Sequence, residues 1–89
     1  MDKVIKWENI SFIISSSYRQ KVLKLLENPK MPSKIARELN INKTHISKTL
    51  KELLSKKVIN CLTPKAKKGK LYLISNYGKQ ILKEISKLN

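Results

Sequence analysis

Acidic residues are scarce: six Asp and Glu stand against twenty Lys and Arg in 89 residues, a formal charge of +14. They are also dispersed. Asp2, Glu8, Glu27, Glu38, Glu52 and Glu84 stand singly, so the chain offers no paired carboxylates for acid–base work. One cysteine, Cys61, excludes an intramolecular disulfide, and one histidine, His45, leaves no Cys/His cluster of metal-site spacing. Glycine occurs twice, with no Gly-rich phosphate loop. Apolar runs such as Phe12 to Ile14 are far too short to cross a bilayer, and the first residues lack a signal-peptide pattern. The expectation is a non-enzymatic, soluble chain in a reducing cytoplasm, with no cofactor, no metal and no membrane partner. Cys61 reads as a small buried apolar residue on a strand.

What the chain does have is positive charge. A sequence of this length makes a small core, and residues 1–89 are expected to form one domain. Self-repulsion on this scale is best tolerated when a polyanion supplies the counter-charge, which makes nucleic acid the first candidate partner. Codon bias accounts for many lysines in a chain also rich in Ile and Asn, but not for the shortage of Glu.

Local patterns predict a mainly helical chain with one small β-hairpin. Trp7, Ile10, Phe12, Ile13 and Ile14 form an apolar segment with a polar edge of Glu8, Asn9 and Ser11. Serine caps then precede a helix over about Ser17 to Glu27, with Tyr18, Val22, Leu25 and Leu26 on its apolar stripe. Pro32 suits a first helical turn, with Ile35, Ala36 and Leu39 inward. Asn40 can take the left-handed conformation that ends this helix, Ile41 plugs the corner, and Asn42 caps the next. From Lys43 to about Lys56, Ile46, Leu50, Leu53 and Leu54 face inward, and Thr44, His45, Ser47, Lys48 and Lys51 face outward.

Two apolar, partly β-branched runs follow, "VINCL" and "LYLI", joined by a polar connection containing Pro64 and Gly69. Gly69 supplies the positive φ of a loop tip. Ser75 opens a last helix carrying Tyr77, Ile81, Leu82, Ile85 and Leu88 on one side. Helix, helix-turn-helix and hairpin in this order make a winged helix-turn-helix with flanking N- and C-terminal helices. A solvent-facing helix that begins with short polar groups fits the major groove, and a lysine-tipped hairpin fits the flanking backbone or minor groove.

On "WENI", "SSSYRQKVLKLL", "PSKIARELNI", "THISKTLKEL", "VINCL", "KGKLYLIS" and "YGKQIL", the chain resembles the small archaeal winged helix-turn-helix regulators related in fold to the MarR and ArsR families. The resemblance implies a homodimer that binds double-stranded DNA. The base-reading positions it implies are Lys43, Thr44, His45, Ser47 and Lys48, with Lys51 alongside. The wing it implies is Thr63 to Lys70, with Lys65, Lys67, Lys68 and Lys70 on phosphates. Three residues depart from the pattern. Lys57 stands where Gly usually ends the recognition helix, a strain of about 1 kcal/mol. Met31 replaces a capping Thr, and Lys48 stands where Arg, with its planar fork for guanine, is frequent.

A transcription regulator is the leading expectation, an abundant nucleoid-associated protein with little sequence preference the alternative, and a protein–protein module a third. A cytoplasmic, nucleoid location follows from either of the first two. The apolar sides of the first and last helices exceed what one small core is expected to cover. Trp7, Ile10, Ile14, Tyr77, Ile81, Leu82 and Ile85 are therefore the candidate dimer interface.

Overall fold

The computed structural model describes residues 5–88. In chain order the elements are α1 (Trp7–Ile14), α2 (Ser17–Leu25), α3 (Pro32–Leu39), α4 (Lys43–Ser55), β1 (Ile59–Cys61), β2 (Tyr72–Ile74) and α5 (Asn76–Lys87). The winged helix-turn-helix expected from the sequence is the fold observed, with the hairpin placed between α4 and α5.

Three side-chain caps fix where helices begin. The Ser16 hydroxyl accepts from the Arg19 N–H, Asn42 Oδ1 from the Thr44 N–H at 2.7 Å, and the Ser75 hydroxyl from the Gly78 N–H at 3.0 Å. Each satisfies a donor that the first turn would otherwise leave unpaired. Asn40 ends α3 in the left-handed region at φ 54, and its short polar side chain tolerates this better than most. Met31 provides no cap for α3, and Pro32 opens that helix instead.

Helix α2 is central and packs against α1, α3, α4 and α5. Its buried residues are Val22 and Leu23, followed by Leu26 just past its end. The expected stripe is thus corrected. Tyr18 is 41% exposed, Leu25 is half-buried, and Leu23, absent from the expectation, is fully buried. A helix surrounded on several sides needs a broad apolar face rather than a narrow seam.

The hairpin pairs Ile59 with Ile74, Asn60 with Leu73 and Cys61 with Tyr72. A further rung joins Lys30 to Tyr72, with the Lys30 N–H donating to the Tyr72 carbonyl at 3.1 Å and the Tyr72 N–H to the Lys30 carbonyl at 2.9 Å. The segment before α3 therefore acts as a one-residue third strand. Cys61 lies on β1 as expected but is half-buried: it shares a sheet face with buried Ile59 and stands at the end of the strand, where the chain leaves for the wing.

Lys57 adopts φ 61, so a left-handed lysine follows the end of α4. The Ser75 hydroxyl donates to the Lys57 carbonyl at 2.7 Å, and the Ser75 N–H donates to the Val58 carbonyl at 2.9 Å. One serine thus caps α5 and also secures the strained turn after α4.

The dimer expectation treated the faces of the first and last helices as surplus. The structure instead packs α1 against α5, and Ile10, Tyr77, Ile81 and Ile85 are buried in the chain's own core. Asn9 Nδ2 donates to the Tyr77 hydroxyl, tying the two helices by a polar contact as well. The premise fails for those four residues because each helix is the other's cover. Trp7, 64% exposed, Ile14, 41% exposed, and half-buried Leu82 remain accessible.

Arg19 joins three helices. Its Nε and Nη2 donate to the two Glu52 carboxylate oxygens on α4 at 3.3 and 3.2 Å, and Nη1 donates to the Phe12 carbonyl at 2.9 Å. Its guanidinium also lies 3.8 Å from the Phe12 ring centroid.

Two stability measurements follow. A Cβ at position 78 would overlap the Val58 carbonyl oxygen and stand 2.7 Å from Ile74 Cγ1. Gly78→Ala is therefore expected to cost about 2–3 kcal/mol in denaturant unfolding. A double-mutant cycle of Arg19→Ala with Glu52→Ala should show a coupling of about 1 kcal/mol. Arg19→Lys should not restore it, since an ammonium cannot make the bidentate contact.

Candidate nucleic-acid interface

Helix α4 separates two faces. Ile46, Thr49, Leu50 and Leu53 are buried, whereas Lys43, Thr44, His45, Ser47, Lys48 and Lys51 are all exposed. Thr49 was not expected inward, although its spacing from Ile46 and Leu53 is that of the buried stripe. Its hydroxyl donates to the His45 carbonyl at 3.0 Å, which satisfies the one polar atom that burial would penalise. Because the Asn42 cap orders the first turn, the outward side chains project from fixed backbone.

His45 is not isolated on this face. Tyr18 of α2 meets it edge-on, with ring centroids 4.7 Å apart and planes at 73°. Tyr18 thus borders the outward face of α4 at the surface, a placement that its own helical spacing did not reveal.

The wing is the loop between β1 and β2. The Leu62 N–H donates to the Leu71 carbonyl at 2.8 Å and the Leu71 N–H to Thr63 Oγ1 at 3.0 Å, so Thr63 closes the loop base. Gly69 has φ 66, as its place at the loop tip requires. Lys65, Lys67 and Lys68 are exposed and Lys70 is half-buried. Lys43, assigned from sequence to the recognition helix alone, shares a cleft with Lys67, Lys68 and Lys70, whereas Lys48, Lys51 and Lys65 lie outside it.

The charges of these two elements stay uncompensated by acids. Ion pairs among the described residues join Arg19 to Glu52, Lys30 to Glu38 and Lys87 to Glu84, and none uses a lysine of the wing or of the outward face of α4. Burial, with a lesser contribution from Cys61, raises the Tyr72 phenol above its ordinary 10.0, so it is a neutral hydrogen-bond donor at physiological pH. Among the described residues no three His, Cys, Asp or Glu side chains are grouped to hold a metal ion, and no helix is long and apolar enough to cross a membrane.

No family model matches the chain, and no curated protein matches it by sequence. Solved structures do match in shape. A mutant of ZitR from Lactococcus lactis superposes with a TM-score of 0.71 at 24% identity, covering 81% of this chain and 51% of its own. The MarR family transcription regulator SP03579 gives a TM-score of 0.69 at 18% identity, covering 91% of this chain and 59% of its own. A mutant of the type III plasmid segregation protein TubR gives 0.76 at 15% identity, with 98% of this chain and 96% of that one covered. This chain therefore spans about half the length of ZitR and about three fifths of the MarR family protein. At these identities the likeness concerns the backbone, and on that ground the chain has the winged helix-turn-helix fold.

Proposed function

We propose that the chain binds double-stranded DNA and regulates transcription, without catalysing a reaction. The outward face of α4 enters the major groove, and the lysines of the wing engage the flanking backbone or the minor groove. The observation that carries this reading is the unobstructed polar face of α4 standing beside a lysine-rich wing, with no acid paired to either among the described residues. The fold shared with a MarR family transcription regulator agrees with it. A DNA-bound location in the cytoplasm accompanies this role.

In this reading Thr44, His45, Ser47 and Lys48 choose the sequence, and Lys51, Lys65, Lys67, Lys68 and Lys70 supply affinity through phosphates. Tyr18 restricts the His45 ring and so sharpens its contact. The nucleoid alternative has the net charge in its favour and no structural feature of its own. A segregation role is a second reading, favoured by the fold shared with the plasmid segregation protein TubR, which superposes over 98% of this chain. Selection of bound oligonucleotides followed by mapping of their positions separates the two: promoter sites support regulation, and sites confined to a partition locus support segregation.

The chain acts as a homodimer in this reading, by way of the exposed Trp7 and Ile14 of α1, with Leu82 on α5 and the 54% exposed Leu88 at its end. Burying such large apolar side chains against a two-fold mate stabilises by roughly 1.5–3 kcal/mol each when complete. Sedimentation at micromolar concentration should give a dimer mass, and Trp7→Glu with Ile14→Glu a folded monomer. A monomer mass for the parent chain, unchanged by duplex DNA, removes the dimer.

Separate replacements of the two elements test the assignment of roles. Thr44→Ala, His45→Ala and Lys48→Ala together should discriminate against preferred sites by roughly 1–3 kcal/mol for each good base contact removed. Lys67→Ala, Lys68→Ala and Lys70→Ala together should weaken all duplexes by similar factors and flatten the salt dependence. Equal weakening of every sequence by the helix variant would replace the regulator with the nucleoid protein.

A further inference from the structure

The cleft between the wing and the start of α3 shares Lys67, Lys68 and Lys70 with the roles above, while Ser33, Lys43 and Tyr72 in its walls have none there. It has a volume of about 530 Å³ and is walled by Ser33, Lys43, Lys67, Lys68, Lys70 and Tyr72 among others. Three stretches distant in sequence meet there: the first turn of α3, the first residue of α4 and the tip of the wing. A Cβ on Gly69 would stand 3.3 Å from Met31 Sδ, so the tip lies close over the residue that precedes α3. The wing is thus folded toward α3 and encloses space beneath it.

Four of the lining residues are lysines and none carries a carboxylate. Four lysines around one concavity raise the local positive potential, which favours a bound anion there. Ser33 and the neutral Tyr72 add hydroxyl donors to the same lining. A lone carboxylate offers two oxygens and a single charge, too little for four cations. Linked phosphates offer several charges and many acceptor oxygens, and lysine binds them as a point charge without needing a planar fork.

We propose that this cleft is a phosphate-binding site that takes linked phosphate groups, supplied either by a DNA strand passing between the wing and α3 or by a free polyphosphate. The first source rests on the DNA-binding reading; the second does not. In either case Lys43 works with the wing and not with the base-reading residues that follow it on α4.

Ser33→Glu tests the site without removing a lysine. It places a carboxylate in the cleft, and a negative charge in the first turn of α3 favours the helix, so the fold is kept. Asn76→Glu makes the same charge change in the first turn of α5, on an exposed residue that does not line the cleft. Duplex affinity would be measured for the parent and both variants, and the amide signals of Ser33, Gly69 and Lys70 followed by NMR as duplex or inorganic tripolyphosphate is added.

Ser33→Glu should weaken duplex binding about tenfold, through repulsion at the site, and Asn76→Glu less than about twofold, through screened charge alone. The three amides should shift in the parent and stay in place in Ser33→Glu. Shifts with duplex only assign the site to a DNA strand. Shifts with tripolyphosphate that also displaces duplex assign it to a free polyphosphate as well. Shifts with tripolyphosphate in a chain that binds no duplex support the cleft and overturn the DNA-binding reading. Equal effects of the two variants, with the amides unmoved by either anion, overturn the cleft and leave the DNA-binding reading intact if the parent still binds duplex.

Discussion

The orientation of α4 is the constraint on which every functional statement depends, and it is set by burial on one side and one guanidinium on the other. Ile46, Leu50 and Leu53 enter the core and fix which face is left for solvent. Arg19 then fixes the helix against its neighbours, holding Glu52 with two donors and the Phe12 carbonyl with a third. Apolar burial is non-directional and permits sliding, whereas a planar fork fits in few geometries. The combination holds the polar face in place although its own residues make few contacts.

Features governed by neighbouring residues were legible in the sequence. Asn40, Asn42, Pro32 and Gly69 occupy the cap and turn positions that their side chains favour, and the order of elements followed from these punctuation marks and the apolar spacing. Features governed by distant residues were not. Arg19 and Glu52 lie 33 positions apart, and nothing local marks them as partners. The Lys30 rung escaped because a one-residue strand between two prolines has no period to detect. The mutual cover of α1 and α5 was misjudged for a related reason: an amphipathic helix shows that it needs a partner, not which one.

The site divides in the same way. The outward face of α4 could be read from helical spacing alone, because exposure follows from which positions the core takes. The cleft could not, since it exists only where the wing folds back over Met31 and brings Lys43 within the same walls as Lys67, Lys68 and Lys70. Gly78 carried a weak sign, a glycine early in a helix where propensity argues against one, and its reason is the close passage of the Val58 carbonyl.

The placement of the few acids has a thermodynamic reach beyond recognition. Ion pairs among the described residues involve Glu52, Glu38 and Glu84, while the wing and the outward face of α4 hold their cations without acid partners. The native arrangement concentrates like charge that an unfolded chain would spread apart, so any polyanion that engages only the folded form shifts the folding equilibrium by mass action, by about 2.7 kcal/mol at a hundredfold excess over Kd. That is a large fraction of the marginal stability of so small a core. If the chain engages a polyanion as proposed, its melting temperature would depend on the solution it occupies as well as on its packing, and its half-life in a cell would follow the supply of that polyanion.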